Sequence, residues 1–130
     1  MADAIPNPEP ANSAAHLDCE RLDCYGVAVE FQALACRLIS NRRVSATLRD
    51  QRDRASVSIV LCIAEGAGRR TARDQAHFFT IARGSASECA AILELLLARE
   101  ILSPADHRHG RGLVVRVVQM LTRLIGRHAT

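Results

Sequence analysis

Apolar residues recur along this chain at spacings of three and four, the pattern of a helix with one buried face. Val27, Phe31, Leu34, Ala35, Leu38 and Ile39 set the first such stripe and predict a helix over 22–40, with Asp23 as its N-cap. Leu48, Ala55, Ile59 and Cys62 set a second over 45–65. Its second half, Val57 to Ala64, is apolar almost all the way round and would suit a buried strand. Helix-compatible sequence continues upstream from Thr47 to Ala55, and no partner strand exists elsewhere, so helix is the reading. The stretch 66–68 ends that helix, with glycine supplying a left-handed cap. Thr71 and Asp74 open a third helix to about Glu100. Its apolar positions, from Phe78 and Phe79 to Leu96 and Leu97, fall within about 140° at helical pitch. Ser103, Pro104 and Asp106 place an N-cap, an N1 proline and an N3 acid at the start of a fourth. There Leu113, Val114, Val117, Val118, Leu121, Leu124 and Ile125 share a similar arc. Short links make neighbours antiparallel, so the expected fold is an all-α, up-and-down four-helix bundle spanning 17–130. Residues 1–16, with prolines at 6, 8 and 10, form an expected disordered tail.

A helix apolar on every side needs cover on every side, and one small bundle cannot surround it. Val57, Val60 and Leu61, with Val115 outside the core arc of the fourth helix, are therefore candidate contacts in a homo-oligomer.

Charge and composition narrow the chemistry. All 17 basic residues are Arg. Residues 22–130 carry 16 of them against 10 acids, whereas residues 1–21 are net acidic. A basic domain can attract polyanions. Only 3% of residues are aromatic, which argues against a base-stacking RNA-recognition sheet or OB barrel. Three arginine groups are candidate contacts to an anion or a nucleic-acid backbone. Arg42, Arg43 and Arg49 flank the first link. Arg69, Arg70 and Arg73 surround the glycine-containing turn before the third helix. Arg116, Arg123 and Arg127 share the polar face of the fourth. Each pattern also suits a solvated face or a tight turn. Five cysteines, an odd number without a C-x-x-C pair, exclude an even disulfide framework and suggest free thiols in a reducing cytoplasm. No secretory leader and no apolar run of membrane-spanning length are evident. No metal-ligand or cofactor motif, small-molecule site or catalytic constellation stands out, so no enzymatic role is expected.

Residues 63–69, Ile-Ala-Glu-Gly-Ala-Gly-Arg, and 78–88, Phe-Phe-Thr-Ile-Ala-Arg-Gly-Ser-Ala-Ser-Glu, carry a resemblance. Together they resemble the bacterial four helix bundle protein family. That family includes proteins encoded in intervening sequences of 23S ribosomal RNA genes and the accessory variability determinant of diversity-generating retroelements. The resemblance implies an up-and-down bundle assembled as a ring-like homopentamer. In the retroelement members it implies RNA or DNA contact through a basic surface and a reverse-transcriptase partner. Glu65, Gly66, Gly68, Gly84, Ser85 and Glu88 match the family motifs and are expected to act structurally.

Overall fold

The computed structural model describes residues 15–39 and 43–128. A 3-10 helix, Asp18–Arg21, leads into α1 (Asp23–Ile39), α2 (Ala46–Ala67), α3 (Ala72–Ala98) and α4 (Pro104–His128). The described residues are helical throughout with short links and contain no strand. The run Val57–Ala64 lies wholly within α2. Residues 1–14 of the expected tail lie outside the described residues. The 3-10 turn was not anticipated, and Asp23 lies inside the first turn of α1 rather than capping it.

Helix starts obey local chemistry. Ser45 Oγ accepts from Leu48 N–H at 3.2 Å, Thr71 Oγ1 from Asp74 N–H at 3.1 Å, and Ser103 Oγ from Asp106 N–H at 3.1 Å. Each satisfies a backbone donor that the first helical turn leaves without an intrahelical partner. The left-handed residue near a helix end is not a glycine but Glu100, at φ 59° just past α3. There Ile101 N–H reaches Leu96 C=O and Glu100 N–H reaches Leu97 C=O, both at 2.9 Å, the paired bonds of a Schellman stop.

α2 packs on α1 and α3, and α4 packs on α3 and α1, so α2 and α4 lie diagonally. Phe31 and Leu34 of α1, Ile59 and Ile63 of α2, Phe79 and Leu93 of α3, and Val117 and Leu121 of α4 are buried in one core. Each such side chain contributes about 1.5–3 kcal/mol by leaving water. Small residues set the spacing between helices. Ala82 and Ala86 are fully buried. A Cβ on Gly110 would stand 3.0 Å from Leu93 Cδ1, so this glycine admits α3 to the start of α4.

Gly66 and Gly68 correct the expected left-handed cap. Gly68 is right-handed, at φ −87° and ψ −4°, and no glycine has a positive φ. Gly66 is buried inside the last turn of α2. A Cβ there would approach Phe79 Cε1 to 2.9 Å and Phe78 Cβ to 3.0 Å. Gly66 is needed for close approach of α3, not for backbone freedom.

Candidate anion site at one end of the bundle

The antiparallel order brings the start of α1, the end of α2, the start of α3 and the end of α4 to one end of the molecule. Arg69, Arg70 and Arg73 from the α2–α3 link therefore share an end with Arg123 and Arg127 from the last turns of α4. Arg123 and Arg127 join Arg21, from the 3-10 helix, around a pocket of about 260 Å³. Leu22, Met120 and Leu124 supply its apolar wall, and Asp23 and Cys24 complete the lining. A second hollow of about 230 Å³ shares Leu22, Leu124 and Arg127, and reaches Ala67 and Gln75 beside the α2–α3 link. Gln75 Nε2 donates to the Arg69 carbonyl at 3.1 Å, tying that link to α3.

These arginines are not equivalent. Arg69 forms an ion pair with Glu65 and lies over the Phe78 ring, 4.7 Å from its centroid. Arg70 and Arg73 are exposed. Arg116 is exposed on α4 but does not line the pocket, so the expected trio on that helix is split. Cys24 is buried at the foot of the pocket, and burial pushes its thiol up to about 11. Nothing at this end resembles a metal centre: among the described residues, no cluster of three His, Cys, Asp or Glu side chains could hold an ion.

The first-link group is used differently. Arg42 lies outside the described residues. Arg43 Nη1 donates to the Glu100 carbonyl at 3.1 Å, and the half-buried Arg49 donates through Nη2 to the Val44 carbonyl at 3.2 Å. Both brace links at the opposite end of the bundle.

The motif residues also divide. Ser85 Oγ lies 2.9 Å from Ser58 Oγ, a hydroxyl tie between α3 and α2. Glu65 is held by Arg69. Glu88 is exposed, so it needs no buried partner. Gly84 is exposed in mid-helix, and a Cβ there would meet nothing within 4 Å. Packing within the subunit does not explain that glycine.

Of the candidate oligomer contacts, Val57 is 40% and Leu61 62% exposed, while Val60 is half-buried. Together with Val29 and Gln32 of α1 they line an apolar hollow of about 190 Å³. Val115 is half-buried on α4, diagonal to α2, and does not join this ridge.

Two residues were missed by the sequence reading. Arg21 was counted with the acidic N-terminal segment; its place just before α1, opposite the antiparallel end of α4, is the signal that could have found it. Arg52 is 1% exposed, and its Nε, Nη1 and Nη2 have no hydrogen-bond partner among the described residues. Burial lowers its pKa from the ordinary arginine value. Its charge lowers the Cys89 thiol, an effect that burial of that thiol outweighs. Arg52 follows Leu48 by four and precedes Ala55 by three, so the core stripe of α2 already placed it inward.

Residues 20–123 match the family model described as "23S rRNA-intervening sequence protein". This chain belongs to that family. The intervening-sequence fold extends to a crystal structure of a protein of unknown function from the S23 ribosomal protein family of Bacteroides thetaiotaomicron. The two share 20% sequence identity at a TM-score of 0.74, over 78% of this chain and 97% of that one. At that identity the likeness establishes a shared fold. No curated protein matches this intervening-sequence family member. No helix among its described residues is long and apolar enough to cross a membrane.

Proposed function

We propose that this intervening-sequence family member is a non-enzymatic, oligomeric scaffold of the cytoplasm that holds polyanions on the basic end of its bundle. The observation that carries this reading is the gathering of Arg21, Arg70, Arg73, Arg123 and Arg127, far apart in sequence, at one end. Guanidinium groups pair with phosphate through forked, charge-assisted hydrogen bonds. With one tyrosine and three phenylalanines in the chain, contacts go to phosphates rather than to stacked bases. The family description makes RNA the first polyanion to test. The family resemblance implies five copies, and a ring would present five basic ends, raising weak single contacts through multivalency. A reverse transcriptase or another nucleic-acid-bound protein would then be a partner delivered by the same RNA or DNA. An electrophoretic mobility shift with a single-stranded RNA at low salt tests this: the wild type shifts, and the Arg70→Ala, Arg73→Ala, Arg123→Ala triple variant loses the shift. A triple variant that still shifts RNA fully refutes the basic end.

The second reading is a protein-interaction module without a nucleic-acid role. The exposed Val57–Leu61 ridge favours it, because adjacent aliphatic side chains in water are stabilised by a partner surface. Both readings require the ridge to be covered by another copy. Leu61→Glu places a charge on it and is expected to lower the mass measured by size-exclusion chromatography with light scattering to that of one chain. A wild-type chain that is monomeric at micromolar concentration overturns the assembly.

A further inference from the structure

We propose that the pocket between the 3-10 helix and α4 is a receptor for a terminal phosphate, the dianionic phosphomonoester at the end of a nucleic-acid strand or on a free nucleotide. The inference rests on reading the basic end as a phosphate surface and goes further by naming the ligand group. An internal backbone phosphate is a monoanion shared between two sugars, and a strand carrying it must run past on both sides. A phosphomonoester carries about −1.5 to −2 charges at neutral pH and continues on one side only.

The pocket matches the second description in charge, shape and size. Arg21, Arg123 and Arg127 bring three positive charges to it, and Asp23 removes one. Three guanidinium groups against one carboxylate leave the lining net positive, the sign a phosphate needs. The cations come from two elements, the 3-10 helix and the end of α4, that line the same pocket. Neither Arg21 nor Arg123 has a hydrogen bond or ion pair within the described chain, so both guanidinium groups are available to a ligand. The start of α1, a helix of 17 residues, forms part of the same pocket, and its dipole adds a partial positive charge. At about 260 Å³ the pocket lies just below the range that engulfs a drug-sized molecule, roughly 300–1,000 Å³. That space suits a phosphate and the sugar attached to it. Leu22, Met120 and Leu124, all half-buried, give the sugar an apolar wall.

Fluorescence anisotropy with one RNA sequence in three forms tests the proposal: 5′-phosphorylated, 3′-phosphorylated and unphosphorylated, each labelled internally. At least one phosphorylated form is expected to bind about tenfold more tightly than the unphosphorylated strand, the yield of one further charge-assisted contact. Arg21→Ala and Arg123→Ala are each expected to remove that increment. Arg21→Lys should retain part of it, because charge survives while the fork is lost. Circular dichroism melts confirm that the variants are folded. Adenosine 5′-monophosphate is the second arm. Displacement of the phosphorylated strand by the nucleotide assigns the ligand to free phosphomonoesters. A phosphate-dependent strand affinity that the nucleotide does not compete assigns it to strand ends. Either result supports the pocket. Equal affinity of all three strands overturns the terminal-phosphate receptor while leaving the basic end intact, provided the Arg70, Arg73 and Arg123 triple variant still weakens them. Failure of every strand to bind overturns both.

Discussion

Gly66→Ala and Gly84→Ala each add one methyl group to a helical residue and are expected to have opposite effects. In a helix interior, replacing glycine by alanine stabilises by about 0.5–1 kcal/mol, because the unfolded chain loses freedom. Gly84 collects that gain, since its new methyl group meets nothing. At Gly66 the methyl carbon arrives 2.9 Å from Phe79 Cε1 and 3.0 Å from Phe78 Cβ. The Phe79 ring is fully enclosed, and Phe78 Cβ is fixed to the α3 backbone, so neither contact ends on a flexible tip. Overpacking of this kind costs about 1–3 kcal/mol. The net expectation is a loss of about 0.5–2 kcal/mol at Gly66, from offsetting that cost with the propensity gain. Urea unfolding followed by circular dichroism, at one fixed protein concentration because the chain is expected to assemble, gives both values. A double-mutant cycle adds the contact itself: Phe79→Leu removes the ring atom nearest the new methyl group and should cost less in the Gly66→Ala background than alone. A Gly66→Ala protein as stable as the wild type, or one without coupling to Phe79, refutes the close-approach account of the first motif. If Gly84→Ala stabilises the subunit but lowers the assembled mass, Gly84 faces a neighbouring copy.

Two other expectations concern the buried charge and the thiols. Arg52→Met keeps the buried stem and removes three unpartnered guanidinium nitrogens, and should raise stability by about 1–4 kcal/mol in the same unfolding assay; a loss of stability would mean that Arg52 has an acceptor in the assembled protein. Burial pushes Cys24 up to about 11 and Cys89 up to about 12, from 9.0 in the unfolded chain, so both are neutral in the fold. The stability they contribute is fully present below pH 9 and is lost as pH rises from 9 through 11 to 12. Urea midpoints that fall across that window in the wild type, and less steeply in a Cys24→Ala, Cys89→Ala variant, check this. A thiol reagent should label exposed Cys36 at once and these two only on unfolding.

Much of the fold was legible because it rests on local rules. The stripes of α3 and α4, and the caps at Thr71 and Ser103, are written in adjacent residues and appear in the structure as read. Val57–Ala64 needed more, since its composition suits a strand; upstream continuity settled it as helix. The role of Gly66 was not legible, because a close approach depends on which side chain the opposing helix presents there. The same holds for the site. Arg69, Arg70 and Arg73 were visible as a local group, and so were Arg123 and Arg127, but their sharing one end follows from topology. Ion pairing of Arg69, and the use of Arg43 and Arg49 on backbone carbonyls, depends on three-dimensional neighbours that spacing does not specify.

The central claim is that phosphate contact is confined to one end of the bundle. The salt dependence of RNA affinity, measured by fluorescence anisotropy, tests it most directly. For single-stranded RNA the slope of log affinity against log salt is about −0.7 for each phosphate neutralised. Substituting Arg70, Arg73 and Arg123 by alanine should make the slope shallower by about 2. Substituting the exposed Arg99 and Arg111 at the opposite end should leave it unchanged. Equal slope changes from the two ends, or an affinity indifferent to salt, would contradict the account.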